Sequence, residues 1–193
     1  MPPQVISGLP TIFSYKDAKE HGLSDRKLYS LRDEGEIEQL GRGLFCLAGT
    51  EGDPDLLEIA FRSADATLCL GTALARHGLS DEIPAAIDVA LPRKARQPAV
   101  SAPARWHRFD PKTFAIGRDT LAIGDLAIGI YNPERSICDA FRLQHLEGTG
   151  QANEALKRWL RRRGAQPSQL LRMARRFGPR AETPIREALE VLL

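Results

Sequence analysis

Residues 9–48 predict two short helices in close succession, and this pattern constrains the fold more than any other. Ser14 can cap a helix that ends before Gly22, and Ser24 can cap a second helix that ends before Gly35. Two short helices joined by a tight turn that contains glycine are typical of a helix-turn-helix.

The residues that follow predict a β-hairpin. Residues 37–40 and 44–47 form two short apolar runs, and Gly41-Arg42-Gly43 lies between them as a glycine-rich turn. A hairpin directly after the second helix is a wing. The segment is therefore predicted to be a winged helix-turn-helix.

The remainder of the chain predicts a larger domain with both helices and strands. Asp53-Pro54 is a typical helix start, and its helix is expected to bury Leu56, Leu57, Ala60 and Phe61. Strands are predicted at 86–91, 105–109, 113–116, 120–123 and 126–131, and further helices at 72–77, from 132 onward, 151–163, 168–177 and 183–193. The predicted fold class is α+β, with an N-terminal winged helix-turn-helix at 1–50 and a larger mixed α/β domain at 51–193 that ends in a helical segment.

Composition excludes several classes of protein. With 42% hydrophobic residues among 193, the chain can bury a proper core, yet it contains no uncharged apolar run of the roughly 20 residues that a membrane span needs. The first four residues also lack the basic and apolar regions of a secretory signal. We therefore expect a cytoplasmic protein with no membrane partner.

Metal and cofactor sites are not expected. Cys46, Cys69 and Cys138 lie far apart among apolar neighbours, which indicates reduced core residues. The histidines, at positions 21, 77, 107 and 145, have neither the helical spacing nor the cysteine partners that a zinc site requires.

The motifs of common enzyme classes are also missing. The chain has no P-loop, no G-x-S-x-G elbow and no nucleotide-binding G-x-G-x-x-G. Asp88 on a predicted strand, with Lys94 beyond it, resembles part of a metal-dependent nuclease site. Pro92 breaks that strand before a second carboxylate could follow, so the chain is predicted not to be an enzyme.

The second helix provides the candidate DNA contacts. A rotation of about 100° per residue places Leu28 and Leu31 inward and Arg26, Tyr29, Ser30 and Asp33 outward. Arginine in the first turn of a recognition helix can contact guanine in the major groove, whereas flanking cations contact phosphates. The predicted DNA-binding residues are Arg26, Lys27, Tyr29, Ser30, Arg32 and, at the tip of the wing, Arg42.

Charge leaves an alternative open. The acidic residues of 9–48 outnumber the basic ones, and they are Asp17, Glu20, Asp25, Asp33, Glu34, Glu36 and Glu38. The candidate residues could therefore be ordinary solvated charges, since winged helices also serve as modules that bind protein.

A second basic patch is predicted near the C-terminus, although the net charge of the chain is only +2. Between Lys157 and Arg180 there are nine basic residues and no acidic one, which creates a local positive field. Its candidate residues for DNA phosphates or an acidic partner are Arg158, Arg161, Arg162, Arg172, Arg175 and Arg176. The alternative is an ordinary solvated helix face, on which the apolar stems of the arginine side chains lie along the surface.

Three parts of the chain resemble the AbiEi antitoxin family of type IV toxin-antitoxin systems. The first is residues 13–45, which end with the glycine-rich turn and Leu44-Phe45. The others are residues 72–84, with the sequence TALARHGLSDEIP, and residues 131–142, with the sequence YNPERSICDAFR. The resemblance extends over nearly the whole chain, and its spaced motifs are more specific in combination than the winged helix alone.

The resemblance implies a bacterial transcriptional regulator that binds operator DNA and represses its own operon. It also implies a C-terminal domain that neutralises a cognate toxin resembling a nucleotidyltransferase, and thereby a part in phage defence by abortive infection. The alternative is an orphan winged-helix regulator, or a protein-interaction module, without a cognate toxin.

Overall fold

A computed structural model describes residues 8–144 and 149–193 of the chain. These residues divide into two compact units. The first consists of the described residues up to Ala64, together with Pro98–Pro103 and Ala122–Ile128, and the second contains the rest. The first residues of the chain and His145, both considered above, lie outside the described residues.

The first unit contains the winged helix-turn-helix. Its sheet has the antiparallel order β1-β3-β2. Its elements are β1 (Ile12–Ser14), α1 (Tyr15–Glu20), α2 (Asp25–Asp33), β2 (Ile37–Gly41), β3 (Leu44–Leu47) and α3 (Pro54–Arg62).

Local signals explain the two helices of this unit. Ser14 and Asp17 form a capping box at the start of α1, and the Ser24 hydroxyl accepts a 3.2 Å hydrogen bond from the backbone of Lys27 in α2. Both caps agree with the sequence prediction. The core beneath the helices contains the stacked rings of Phe13 and Phe45, whose centroids lie 5.9 Å apart.

Strand β1 was absent from the sequence prediction. It is only three residues long, so it offers too little periodicity to be recognised. The strand exists because β3 provides a partner, with Ile12 opposite Cys46 and Phe13 opposite Phe45.

The second unit contains most of a mixed five-stranded sheet of order β6-β5-β4-β8-β7. Its central strand β4 runs antiparallel to β5 and parallel to β8. The remaining elements of the chain are β4 (Thr67–Leu68), α4 (Leu70–Arg76), β5 (Ile87–Pro92), β6 (Ala104–Phe109), α5 (Pro111–Phe114), β7 (Arg118–Ile123), β8 (Leu126–Tyr131), α6 (Pro133–Arg142), α7 (Thr149–Leu160), α8 (Pro167–Arg175) and α9 (Pro179–Leu192). The α+β fold class is as predicted.

A helical core fills the C-terminal part of the second unit. It is formed by apolar residues of α4, α6, α7, α8 and α9, with Ile137, Leu156 and Leu170 fully buried near its centre. These helices follow the apolar spacing predicted from the sequence. Helix α9 begins at Pro179, four residues before its predicted start, and continues through Pro184.

Two predictions about the elements are wrong. Residues 113–116 were predicted as a strand, but Asp110 caps the short helix α5 through a 2.9 Å hydrogen bond from the backbone of Lys112. In α3, Phe61 was expected in the core and is 39% exposed, whereas Glu58 is 1% exposed. The apolar spacing alone could not identify Glu58 as a buried residue, because its burial depends on hydrogen-bond donors from distant segments.

Candidate nucleic-acid interface

The rotation of α2 about its axis decides which side chains can meet a ligand. Leu28 and Leu31 are fully buried in the core of the winged helix. Consequently Arg26 and Tyr29 are exposed, and Ser30 is half-buried at the edge of the same face. This orientation agrees with the one predicted from the spacing.

Two cations in the first turn of α2 are available for binding. The Arg26 side chain is exposed and the Lys27 side chain is half-buried. Within residues 8–144 and 149–193, neither side chain makes a hydrogen bond or an ion pair. Both can therefore approach an anion without first breaking an internal contact.

The other predicted residues of α2 make contacts within the helix. The Arg32 guanidinium donates to Asp33 Oδ1 from Nε at 3.1 Å and from Nη2 at 2.9 Å. It also lies over the Tyr29 ring, 5.0 Å from the centroid. The Ser30 hydroxyl donates to the carboxylate of Glu34. Their interaction with a ligand would have to share or replace these bonds.

Ion pairs engage three of the acidic residues of the winged helix, namely Glu20, Asp25 and Asp33. Asp25, at the start of α2, pairs with Lys19 and accepts a 2.6 Å hydrogen bond from the Tyr15 hydroxyl. The hydrogen bond from Lys19, followed by that from Tyr15, lowers the pKa of Asp25 below its usual value. Glu20 lies 3.4 Å from the ammonium group of Lys16. Lys16 and Lys19 are engaged in these same pairs, so the excess of acidic over basic residues is unchanged, but the carboxylate next to Arg26 has its own cationic partner.

The wing ends in a tight turn that carries the remaining predicted cation. Gly41 pairs with Leu44, so Arg42 and Gly43 form the turn between the strands. Gly43 has a φ of +65°, which glycine adopts without strain. The Arg42 side chain is exposed and, in the described part of the chain, has no hydrogen-bond or ion-pair partner.

Helix α3 contacts the backbone of this turn through residues that the sequence interpretation missed. Arg62 Nη2 donates a 2.7 Å hydrogen bond to the Arg42 carbonyl, while its Nε lies 3.2 Å from Glu58 Oε1. Glu58 Oε2 also accepts from the backbone amides of Ser101 and Ala102 at 2.7 and 3.0 Å. The available signal was a Glu–Arg pair at spacing i, i+4, with Glu58 between the apolar residues Leu57 and Ile59.

Three arginines of the predicted C-terminal patch are engaged in internal contacts of the second unit. Arg158 binds both carboxylate oxygens of Asp81, at 2.6 and 2.5 Å. Arg162 donates to the carbonyl of His77, and Arg175 pairs with a glutamate of α9. Much of their charge is therefore already matched.

The other three predicted arginines of this patch are exposed. Among the described residues, the side chains of Arg161, Arg172 and Arg176 have no hydrogen-bond or ion-pair partner. Arg172 and Arg176 line a shallow cavity of about 340 Å³ together with Gln169 and Met173. These three side chains retain the free positive charge of the patch.

The Asp88 carboxylate is buried and already has partners, so it is not accessible in the way that a catalytic carboxylate would be. Its Oδ1 lies 2.9 Å from His107 Nε2, and Arg105 lies 3.6 Å away. Across the described ranges, no group of three or more His, Cys, Asp and Glu residues is placed to hold a metal ion. Cys46, Cys69 and Cys138 are buried as reduced thiols. Over the same residues, no helix combines the length and apolarity needed to cross a membrane.

Comparison with known proteins identifies relatives for the winged helix and for the fold. Residues 4–48 match the model of a family described as transcriptional regulator, AbiEi antitoxin, which confirms the resemblance inferred for the N-terminal segment. The fold is similar to the crystal structure of the RV2827C protein from Mycobacterium tuberculosis, with a TM-score of 0.53 and 17% identity over 97% of this chain and 80% of that one. A search of curated protein sequences found no match.

Proposed function

We propose that this chain, whose residues 4–48 match the AbiEi family of transcriptional regulators, is a DNA-binding antitoxin that represses its own operon. The observation that carries the proposal is the selective availability of three cations. The side chains of Arg26, Lys27 and Arg42 are free of internal partners among the described residues, whereas the other cations of the winged helix, Lys16, Lys19 and Arg32, are paired with carboxylates.

The arrangement of these cations suits duplex DNA. With α2 in the major groove, Arg26 in its first turn can donate two hydrogen bonds to one guanine, and Lys27 can approach a phosphate. Arg42 on the wing can reach the phosphate backbone or the minor groove. Tyr29, Ser30 and Arg32 complete the proposed contact surface, and Arg32 would share its charge between Asp33 and a phosphate.

A second candidate function is protein binding by the winged helix. It is favoured by the exposed carboxylates of Glu36 and Glu38, which follow α2 directly and are unfavourable close to phosphates. In this alternative the chain is an orphan regulator or an interaction module without a toxin.

Binding to promoter DNA distinguishes these candidates. We expect the purified protein to shift a fragment that contains its own promoter, with affinity that falls steeply as salt rises because each contacted phosphate releases counterions. A scrambled fragment of equal length and base composition is the control. Equal binding of both fragments at moderate salt would contradict sequence-specific repression, and no binding of either would favour the protein-binding alternative.

We further propose that the second unit neutralises a toxin in the cytoplasm, and that the toxin resembles a nucleotidyltransferase. Of the six arginines predicted there, Arg161, Arg172 and Arg176 are proposed to meet an acidic partner surface. Arg158, Arg162 and Arg175 are proposed to stabilise the unit, because their guanidinium groups already bind internal acceptors.

The neighbouring reading frame provides the test. It should encode a protein with nucleotidyltransferase-like motifs, and co-expression of the present chain should rescue cells from its toxicity. The double variant Arg172→Ala/Arg176→Ala should rescue less well than Arg93→Ala/Arg96→Ala, which removes the same charge from an exposed loop of the same unit. Equal rescue by both variants would exclude a role for Arg172 and Arg176, and absence of a toxin gene would favour the orphan regulator.

A further inference from the structure

We propose that Glu58 and Arg62 are positioning residues that hold the wing turn in place, so that Arg42 meets DNA with its backbone already ordered. The inference rests on the proposed function, since it assigns Arg42 a DNA contact. It extends the binding machinery beyond the winged helix-turn-helix to the helix that follows it. Neither residue is itself proposed to touch DNA.

The Glu58 carboxylate is held in one position by its hydrogen bonds. The side chain is 1% exposed, and its two oxygens accept from Arg62 Nε and from the backbone amides of Ser101 and Ala102. A buried carboxylate is tolerated only where such donors satisfy it, and three of them restrict its rotation. The carboxylate is therefore a rigid acceptor beside the wing.

Arg62 links the Glu58 carboxylate to the wing turn. Its guanidinium donates from Nε to Glu58 at 3.2 Å and from Nη2 to the Arg42 carbonyl at 2.7 Å. A planar guanidinium can donate in two fixed directions at once, whereas a lysine ammonium is a single point of charge. The side chain of Arg62 is 26% exposed, so the ion pair is partly shielded from solvent.

Gly41 provides an independent observation that α3 and the wing are closely fitted. A Cβ atom built on Gly41 would lie 1.9 Å from Glu58 Oε1, which is far inside contact distance. The backbone of the wing therefore approaches the carboxylate as only glycine allows. On the other side of the turn, the Tyr15 amide donates a 2.8 Å hydrogen bond to the Gly43 carbonyl.

Together these contacts hold the turn on both sides while leaving the Arg42 side chain free. Binding DNA with a loose turn would cost conformational entropy that an ordered turn has already lost on folding. Removal of the Arg62 side chain should therefore weaken the binding contributed by Arg42 and leave base discrimination by Arg26 unchanged.

A double-mutant cycle on promoter binding tests whether Arg62 acts through Arg42. We expect Arg62→Ala to weaken binding by about threefold to tenfold, as for the ordering of one or two side chains. The double variant Arg42→Ala/Arg62→Ala should bind within about twofold of Arg42→Ala alone. If the double variant instead loses affinity by the product of the two single-variant factors, Arg62 contacts DNA itself, and the proposal is overturned.

Lys16 supplies the matched control for this cycle. It is an exposed cation of the same unit, and it pairs with Glu20 on α1 rather than contacting the wing turn. Any effect of Lys16→Ala should multiply with that of Arg42→Ala. Arg62→Lys is the second variant of the cycle, since it retains the positive charge but cannot donate to Glu58 and to the Arg42 carbonyl in the same geometry. It should behave like Arg62→Ala.

A measurement without DNA separates failure of this inference from failure of the proposed function. Hydrogen exchange of the Tyr15 amide, which donates to the Gly43 carbonyl of the turn, can be followed by nuclear magnetic resonance. It should accelerate in Arg62→Lys and in Glu58→Gln but not in Lys16→Ala. Unchanged exchange in both wing variants would overturn the positioning role whatever the protein binds. If exchange accelerates in a protein that binds no promoter, Glu58 and Arg62 do hold the wing turn in place, but the turn does not serve DNA binding.

Discussion

The Tyr15 hydroxyl donates a 2.6 Å hydrogen bond to Asp25 Oδ1, and this bond joins the first residue of α1 to the first residue of α2. Lys19 pairs with the same carboxylate. Asp25 precedes Arg26 in the chain, so Lys19 neutralises the acidic group nearest to the proposed base contact, and the Tyr15 hydroxyl holds that group by a hydrogen bond.

The first prediction concerns this neutralisation. Lys19→Ala should weaken promoter binding by a larger factor than Lys16→Ala, although both remove one exposed cation from α1, because Asp25 is then left to repel phosphates. Adding Asp25→Asn should restore much of the affinity. Titration of each variant with labelled promoter checks this, and equal effects of the two lysine variants would contradict it.

The second prediction separates base contact from backbone contact. Arg26→Ala should reduce discrimination between promoter and scrambled DNA by about 1–3 kcal/mol, the value of a bidentate contact to a base. Arg42→Ala should weaken binding to both fragments by the same factor. It should also reduce the slope of log binding constant against log salt concentration by about 0.9 for each phosphate that the protein no longer neutralises. If the two variants have the same effect on discrimination, the assigned roles are wrong.

The third prediction concerns acid stability of the capping box at α1. Hydrogen bonds from the backbone and the hydroxyl of Ser14 lower the pKa of Asp17 below its usual 3.8. A carboxyl whose folded pKa is depressed stabilises the fold above its unfolded pKa, and this contribution is lost as pH falls through the folded pKa. Unfolding by denaturant between about pH 5 and 2 should therefore depend less on pH in Asp17→Asn than in the wild type. An equal pH dependence in Asp17→Asn and in the wild type would contradict this contribution.

The fourth prediction follows from the close approach of the wing to α3. Gly41→Ala should lower the free energy of unfolding by about 1–3 kcal/mol, because its methyl group would displace the buried Glu58 carboxylate. Gly150→Ala is the control, since no atom lies within 4 Å of its Cβ position in α7 and alanine favours helix. Thermal or urea unfolding measures both, and a neutral Gly41→Ala would show that the carboxylate can move at little cost.

The fifth prediction concerns the buried cation of α6. Arg135 is fully buried, donates to Asp139 Oδ2 at 2.9 Å, and lies 4.2 Å from the ring centroids of Tyr131 and Phe177. Arg135→Ala should cost about 3–5 kcal/mol, as expected when one partner of a buried ion pair is removed. Arg142→Ala should cost less, because its side chain is 23% exposed. Comparable destabilisation of the two variants in urea unfolding would contradict this difference.

Much of the local structure could be predicted from the sequence. The capping residues Ser14 and Ser24, the glycines that end the first two helices and the apolar spacing of Leu28 and Leu31 are signals that act over one or two turns. They correctly indicated the helix-turn-helix and the wing. The same kind of signal, Asp110-Pro111, was overlooked at α5 because the surrounding apolar residues also suited a strand.

Only the tertiary structure decided which charges are free. Asp25 adjoins Arg26 just as Asp33 adjoins Arg32, yet Arg32 pairs with its neighbour, whereas Asp25 pairs with Lys19 and Arg26 has no partner in the described ranges. Arg158 differs from Arg172 for the same reason, because Asp81 lies far away along the chain and adjacent in space. A pair such as Arg158–Asp81 depends on positions in three dimensions, which no local pattern encodes.

The buried Glu58 shows the same division. Its chemistry and its i, i+4 spacing to Arg62 are visible in the sequence, but its burial depends on the amides of Ser101 and Ala102 and on the missing side chain of Gly41. Helices, caps and turns arise from interactions between near neighbours in the chain, so the sequence by itself determined them. The Glu58 carboxylate, in contrast, is satisfied by amide donors more than 40 residues away along the chain, which only folding brings close to it.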